Sequence, residues 1–153
     1  MKIIEKAIIE KQEMYYRIAF KYLNNHEDTL DALQETAYKA IKNSNKLKNK
    51  DYASTWITRI LINTCFDMLR KKKQYEWVEL DERIGKTYDL DSKLEVSEMI
   101  MKIKTKYRDV IVMKYLEGYK IKEIAEIFNK PEATIKTWLS RGLKSLKGEV
   151  ADE

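Results

Sequence analysis

The sequence predicts an all-α fold made of two small helical domains joined by a flexible acidic linker, with a helix-turn-helix in the C-terminal domain. The chain of 153 residues contains only four Gly and one Pro, too few for the frequent turns of a sandwich or barrel. Apolar residues recur instead at helical spacing on both sides of a segment without clear periodicity. We therefore divide the chain into residues 1–73, a linker at 74–91 and residues 92–153.

Charge follows the same division. Residues 1–73 hold 15 basic and 9 acidic groups, residues 74–98 hold 3 and 8, and residues 99–153 hold 12 and 8. The formal net charge of +5 is thus the sum over two basic domains and the acidic segment between them. Domains below about 80 residues bury little apolar surface. We therefore expect their relative placement to be set by a partner and not by the chain alone.

In the N-terminal half, the apolar spacing predicts helices at 4–23, 27–42 and 53–73. The second has acidic residues in its first turn and basic residues in its last, which suits the helix dipole. The polar stretch 43–51 lacks apolar periodicity and is predicted to be a loop. The third helix ends in four consecutive basic residues at 70–73.

In the C-terminal half, helices are predicted at about 92–105, 105–117, 120–128 and 132–147. Gly118 fits the end of the second, because glycine adopts positive φ without strain.

The last two helices have the pattern of a helix-turn-helix. Two helices that cross closely need a small residue at the crossing, and Ala125 fills that place. Ile135 and Leu139 supply the apolar face of the second helix. Its outward face carries donors of the kind that contact DNA phosphates and bases: Thr134, Lys136, Thr137, Ser140, Arg141 and Lys144. The alternative is an ordinary helical hairpin with a solvated face.

Catalytic and metal-binding patterns are absent from the sequence. There is no nucleophile–base pair, phosphate loop or carboxylate dyad, and no apolar run approaches the roughly 20 residues of a membrane span. The single cysteine, Cys65, lies on an apolar helix face and is expected to be buried and inert. We therefore predict a cytoplasmic protein that is not an enzyme and has no cofactor, metal or small-molecule substrate.

Three segments resemble the sigma-70 family of bacterial transcription initiation factors. The run from Tyr107 to Arg141 is similar to their promoter-reading C-terminal domain. Asp31–Glu35 and Trp56–Lys73 are similar to two helices of their core domain. Since the motifs occur in the family order with a short linker and no third domain, the resemblance is to the extracytoplasmic-function (ECF) group.

The resemblance implies three binding surfaces. One docks on the clamp of the polymerase largest subunit and comprises Asp31, Leu33, Gln34 and Glu35. Another contacts the −10 promoter element and comprises Arg59, Asn63, Arg70, Lys71, Lys72 and Lys73. The third contacts the −35 element through the six donors of the last helix. In the family, the loop corresponding to 43–51 takes a flipped base into a pocket, but a plain surface connection is the alternative here.

The turn of the helix-turn-helix departs from the family pattern. Family members usually have Gly and Ser where this chain has Asn129 and Pro131, and an apolar residue where it has Lys130. Trp138 replaces a frequent Arg, and packing is the favoured interpretation for it.

The resemblance also implies partners: core RNA polymerase, promoter DNA and an anti-sigma factor, which is often bound to the membrane. Control in trans by such a factor and a stress or envelope regulon are the corresponding expectations. Two rival functions are a stand-alone DNA-binding regulator and a helical interaction protein with incidental basic faces. The first leaves Gln34–Glu35 and Arg70–Lys73 unexplained; the second predicts no effect of removing Arg141 and Lys144.

Overall fold

The computed structural model describes residues 2–80 and 99–148, and the side chains of 73–80 lie outside that description. Most of the predicted linker, and all but the end of the helix predicted at 92–105, are therefore outside the described residues. In the two described segments, the predicted all-α architecture is confirmed.

The N-terminal half begins with two helices where one was predicted. Helix α1 covers Lys2–Glu10 and α2 covers Gln12–Leu23, with a break at Lys11, where ψ is 19°. Asn24 ends α2 in the left-handed conformation, at φ 51°, which asparagine tolerates better than most residues. Helix α3 covers His26–Lys42, within one residue of its predicted start.

Helix α3 is followed by a connection and by the longest helix. The predicted loop contains two short 3₁₀ turns, Ser44–Lys46 and Lys50–Tyr52. Helix α4 then covers Ala53–Leu80, and it continues past the predicted end at Lys73 into the predicted linker.

The C-terminal half contains three further helices: α5 at Thr105–Ile111, α6 at Ile121–Phe128 and α7 at Glu132–Leu146. A π-helical turn, Val112–Leu116, continues α5, where an α-helix to 117 was predicted. Gly118 follows this turn with φ +77°, as its predicted capping role requires.

Helix α4 contributes to two apolar cores on two of its faces. Ile57 and Leu61 lie in the N-terminal core with residues of α1, α2 and α3. Ile62 and Phe66 lie instead in the C-terminal core, together with residues such as Ile124. The sequence led us to expect that the chain alone does not fix the placement of its two domains. The structure differs, because residues of one helix, α4, are buried in both cores.

No helix in the described ranges, 2–80 and 99–148, is both long and apolar enough to cross a membrane.

Candidate polymerase and promoter interfaces

Helix α3 presents the predicted polymerase-binding residues next to the N-terminal core. The side chain of Asn25 caps its start by accepting a hydrogen bond from the Asp28 backbone N–H at 2.9 Å. Asp31, Gln34 and Glu35 are exposed along the helix. Leu33 is different, since it is half-buried and packs against the N-terminal core.

Two exposed apolar side chains lie on the same α3 surface. Leu30 is 47% exposed and Tyr38 is 60% exposed. Large apolar groups bordered by polar ones are typical of a protein interface. Neither residue is among the predicted polymerase-binding residues, although their spacing around Asp31 and Gln34 could have indicated them.

The basic end of α4 is open to solvent. Arg70, Lys71 and Lys72 are exposed, and the side chain of Lys73 lies outside the described residues. Lys72 Nζ lies 3.6 Å from the Asp28 carboxylate, an ion pair between partly exposed groups. Such pairs contribute little to stability, so the lysine remains available to another anion.

The remaining two predicted −10 residues face the C-terminal domain. Arg59 lies with its guanidinium carbon 3.8 Å from the centre of the Phe128 ring. Asn63 accepts a hydrogen bond from the Arg108 guanidinium. The structure therefore separates the five predicted residues whose side chains it describes into an exposed basic end and a half-buried central pair.

A buried charged cluster joins α4 to α5 at this place. Arg108 and Asp109 are both fully buried, and their side chains are 3.2 Å apart. Arg59 Nε lies 3.8 Å from Asp109 Oδ2. Burial raises the pKa of the Asp109 carboxyl to about 6, although the two arginines act in the opposite direction.

Sequence reasoning missed this cluster. An adjacent Arg and Asp in an apolar run would ordinarily be assigned to a solvated edge. Here both are buried because α5 packs on α7 on one side and on α4 on the other.

The helix-turn-helix is formed by α6 and α7 as predicted. Ile124 and Ala125 are buried on α6, and Ile135 and Leu139 are buried on α7. Asn129 adopts a left-handed conformation in the turn, with φ 54°. This explains how the turn forms without the glycine of the family pattern, since asparagine tolerates that conformation.

The outward row of α7 is accessible. Lys136, Thr137, Ser140, Arg141 and Lys144 are exposed, and Thr134 is half-buried. The Thr137 hydroxyl donates to the Ala133 carbonyl at 3.1 Å, and Arg141 donates to the Tyr107 hydroxyl at 3.4 Å. The predicted −35 residues thus form one continuous surface.

Trp138 packs within the domain, as the sequence interpretation favoured. Its ring meets those of Tyr107 and Phe128 at centroid distances of 6.4 and 5.7 Å. Both contacts have the edge-to-face geometry that aromatic pairs prefer.

A small cavity borders the loop between α3 and α4. Asn49, Tyr52 and Trp56 line it from the N-terminal domain. Its other wall consists of Glu126, Ile127 and Asn129 of the C-terminal domain.

In the two described ranges, no group of three His, Cys, Asp or Glu side chains could hold a metal ion. The predicted burial of Cys65 is confirmed, and burial raises the pKa of its thiol to about 12.

The helical architecture and the exposed donor row define the class as a helix-turn-helix DNA-binding protein. Comparison with known proteins identifies the family. Residues 8–75 match the model of Sigma-70 region 2, and residues 93–146 match that of Sigma-70 region 4. The chain is 31% identical to the RNA polymerase sigma factor SigV of Bacillus subtilis, with 99% of this chain and 93% of SigV covered. It is 30% identical to the ECF RNA polymerase sigma factor SigW of the same organism, over 92% and 85%.

A solved structure has a similar fold. It is the co-crystal structure of the sigma factor RpoE with the anti-sigma factor NepR from Bartonella quintana. The TM-score is 0.53 at 18% identity, with 97% of both chains covered.

The chain therefore belongs to the ECF sigma factors of the sigma-70 family. As such it is a transcription initiation factor that binds core RNA polymerase and promoter DNA, and it is not itself an enzyme.

Proposed function

We propose that residues 1–73 bind the polymerase clamp and the −10 element, and that residues 92–153 read the −35 element. The observation that carries this division is the accessible row of donors on α7, the second helix of a helix-turn-helix. Such a helix enters the major groove with its exposed side chains toward phosphates and base edges. Lys136, Arg141 and Lys144 are the phosphate-binding residues of this proposal, and Thr134, Thr137 and Ser140 contact bases or phosphates.

The polymerase is bound, in this proposal, by the exposed face of α3. Asp31, Gln34 and Glu35 offer carboxylate and amide acceptors to basic groups of the clamp. Leu30 and Tyr38 add apolar area to the same surface. Leu33 supports this surface from below, because it packs into the N-terminal core.

The −10 element is bound by α4 and by the loop before it. Arg70, Lys71, Lys72 and Lys73 neutralise phosphates, and Arg59 and Asn63 contact the strand further along the helix. The cavity beside the loop supports a base pocket, since Asn49 supplies polar atoms and Tyr52 and Trp56 supply aromatic surfaces.

We also propose that the protein acts in the cytoplasm and is held inactive by an anti-sigma factor. Where the anti-sigma factor is bound to the membrane, it holds the protein there. The solved RpoE–NepR complex supports control by such a factor. The regulon would be one of stress or envelope genes. Co-purification of the tagged chain from unstressed cells tests this part, and recovery without an anti-sigma partner would contradict it.

Transcription with purified components tests the division of labour. The chain plus core polymerase is expected to produce transcripts from a library of genomic fragments whose promoters share −10 and −35 elements. Lys136→Ala/Arg141→Ala should abolish most of this activity. It should also reduce the salt dependence of DNA binding, with a loss of about 0.9 in the logarithmic slope for each phosphate contact removed.

The matched control is Lys102→Ala/Lys104→Ala, which removes the same charge from exposed positions outside α7. Equal losses in the two double variants would contradict the −35 assignment. Binding to core polymerase without DNA provides an independent measurement. It should weaken in Gln34→Ala/Glu35→Ala, and a stand-alone regulator would show no such binding at all.

A further inference from the structure

A cavity of about 210 Å³ lies where the first four helices meet. Its walls include one large side chain from each of these helices: Ile8 of α1, Tyr15 of α2, Leu33 of α3 and Ile57 of α4. An engineered apolar cavity of roughly 150 Å³ is already large enough to bind benzene. The cavity of this protein therefore has room for a small organic molecule.

The walls of this cavity are mainly apolar and carry no charge among the described residues that form them. The Tyr15 hydroxyl is already engaged, because it donates to the Ser54 hydroxyl at 3.1 Å. A carboxylate or phosphate would lose its hydration on entry and would meet no cation in these walls, which is unfavourable. The cavity therefore selects a neutral, mainly apolar ligand.

One buried polar group of the cavity wall has no partner. Thr36 lines the cavity and is only 3% exposed, and its hydroxyl oxygen makes no hydrogen bond to any described residue. Thr29 on the same helix is different, since its hydroxyl donates to the Asn25 carbonyl at 2.7 Å. A buried hydroxyl without a partner is costly. A ligand with one hydroxyl or carbonyl oxygen would supply the partner that Thr36 lacks.

The cavity reaches the proposed polymerase-binding surface. Gln34 lines the cavity and is exposed, and Leu33 lines it and is half-buried. Both residues are among the four that we assign to the clamp. A molecule in the cavity competes with the clamp for the Gln34 amide. Two partners that compete in this way weaken each other's binding by the same factor.

We propose that this cavity is a binding site for a small, neutral, mainly apolar molecule that carries one hydroxyl or carbonyl group. The apolar part packs on Ile8, Leu33 and Ile57, and the polar group bonds to the Thr36 hydroxyl. Occupation of the site lowers the affinity for core polymerase through Gln34. Only this last step rests on the proposed function.

Benzyl alcohol and toluene are matched probes of the site, because they share the aromatic ring and differ in the hydroxyl. Each is titrated into the full chain with labelled isoleucine methyl groups and followed by NMR. Saturable shifts are expected at Ile8 and Ile57, which line the cavity. Ile135, which is buried in the C-terminal core, should not shift.

Two substitutions with matched controls test the walls. Thr36→Val keeps the shape of the side chain, and it should weaken benzyl alcohol binding about fivefold while leaving toluene binding unchanged. Its control, Thr29→Val, removes a paired hydroxyl outside the cavity and should change neither affinity. Ala37→Leu fills the cavity and should abolish binding of both probes. Its control is Ala7→Leu, the same change at a half-buried position outside the cavity.

Binding to core polymerase tests the last step. Saturating benzyl alcohol should lower the affinity of the native chain for core polymerase about fivefold. The affinity of Ala37→Leu should not respond to the alcohol, which controls for effects of benzyl alcohol on the polymerase itself.

The absence of saturable shifts at Ile8 and Ile57 with both probes would overturn the site. Equal losses of the two probes in Thr36→Val would overturn the polar contact. If neither probe binds but Ala37→Leu weakens polymerase binding, the cavity receives a side chain of the polymerase, and the proposal is wrong. Probe binding without any change in polymerase affinity would support the site and contradict the proposed role of Gln34.

Discussion

The two helices assigned to DNA differ in what covers them. Helix α7 presents its donors to solvent, and its apolar residues face α5 and α6. Helix α4 has an open basic end, but its central residues Arg59 and Asn63 are engaged by the C-terminal domain. One helix therefore presents its proposed DNA-binding residues to solvent along a whole face, whereas the other presents them to solvent mainly at its basic end.

This difference follows from how the apolar residues are distributed. Helix α7 buries one stripe and leaves the opposite face polar. Helix α4 buries residues of two stripes, since Ile57 belongs to one core and Ile62 to the other. A polar residue between two buried stripes, such as Arg59, becomes partly enclosed when both cores form. The exposure of a polar residue on such a helix therefore depends on both cores.

The largest expected effect comes from breaking the core that α4 shares with the C-terminal domain. Phe66 is fully buried and lies 5.3 Å from the Tyr22 ring and 5.2 Å from the Arg108 guanidinium. Phe66→Ala should lower the free energy of unfolding by about 3–5 kcal/mol. Because the residue contacts both halves, the loss should appear in both, measured by denaturant unfolding with probes in each domain.

The control for this substitution is Phe20→Ala, the same chemical change at a side chain that is 39% exposed. Surface changes of this kind usually alter stability by less than about 0.5 kcal/mol. If Phe66→Ala lowered the stability reported by the N-terminal probe alone, the assignment of Phe66 to a core shared by both halves would be wrong. The packing of the C-terminal domain on α4 would then be wrong as well.

An intermediate effect is expected at the buried side of α7. Gly142 is buried, and a β-carbon there would lie 2.3 Å from Ile111 Cδ1 and 3.3 Å from Tyr107 Cβ. A helical Gly→Ala change ordinarily stabilises by up to about 1 kcal/mol. Overpacking a core costs about 1–3 kcal/mol, so Gly142→Ala should be destabilising on balance.

Thermal unfolding of Gly142→Ala and Ser140→Ala compares the two faces of α7. Ser140 is exposed, so its substitution should be neutral or slightly stabilising through helix propensity. A stabilised Gly142→Ala variant would show that α7 does not approach α5 as closely as the structure has it.

The sequence predicted most of the helices and the open surfaces, but it did not predict the covered one. Periodicity located α3, α6 and α7 within a residue or two, because each has a single apolar stripe. It joined α1 and α2, since the break at Lys11 leaves the apolar spacing almost intact. Arg108 and Asp109 could not be assigned to a buried site, because their burial depends on α4, which is distant in sequence.

A pH dependence is also expected at this buried charged cluster. The groups that face Asp109 are Arg108 beside it and Arg59 and Asn63 on α4. Its pKa of about 6 lies above the ordinary value of about 3.9, so the folded state holds the proton more tightly than the unfolded state. The stabilising contribution of Asp109 is therefore fully present below about pH 4 and is lost as pH rises through about 6.

Asp109→Asn keeps the shape of the side chain and removes its titration. The free energy of unfolding of the native chain should decline between about pH 4 and pH 6 relative to this variant, and the difference should level off above that range. Denaturant unfolding at constant ionic strength measures both curves, and their difference cancels the other carboxylates. Because only one proton is involved, the change should be gradual. A difference that rises with pH would mean that the arginines dominate, and that the charged carboxylate strengthens the contact between α4 and α5.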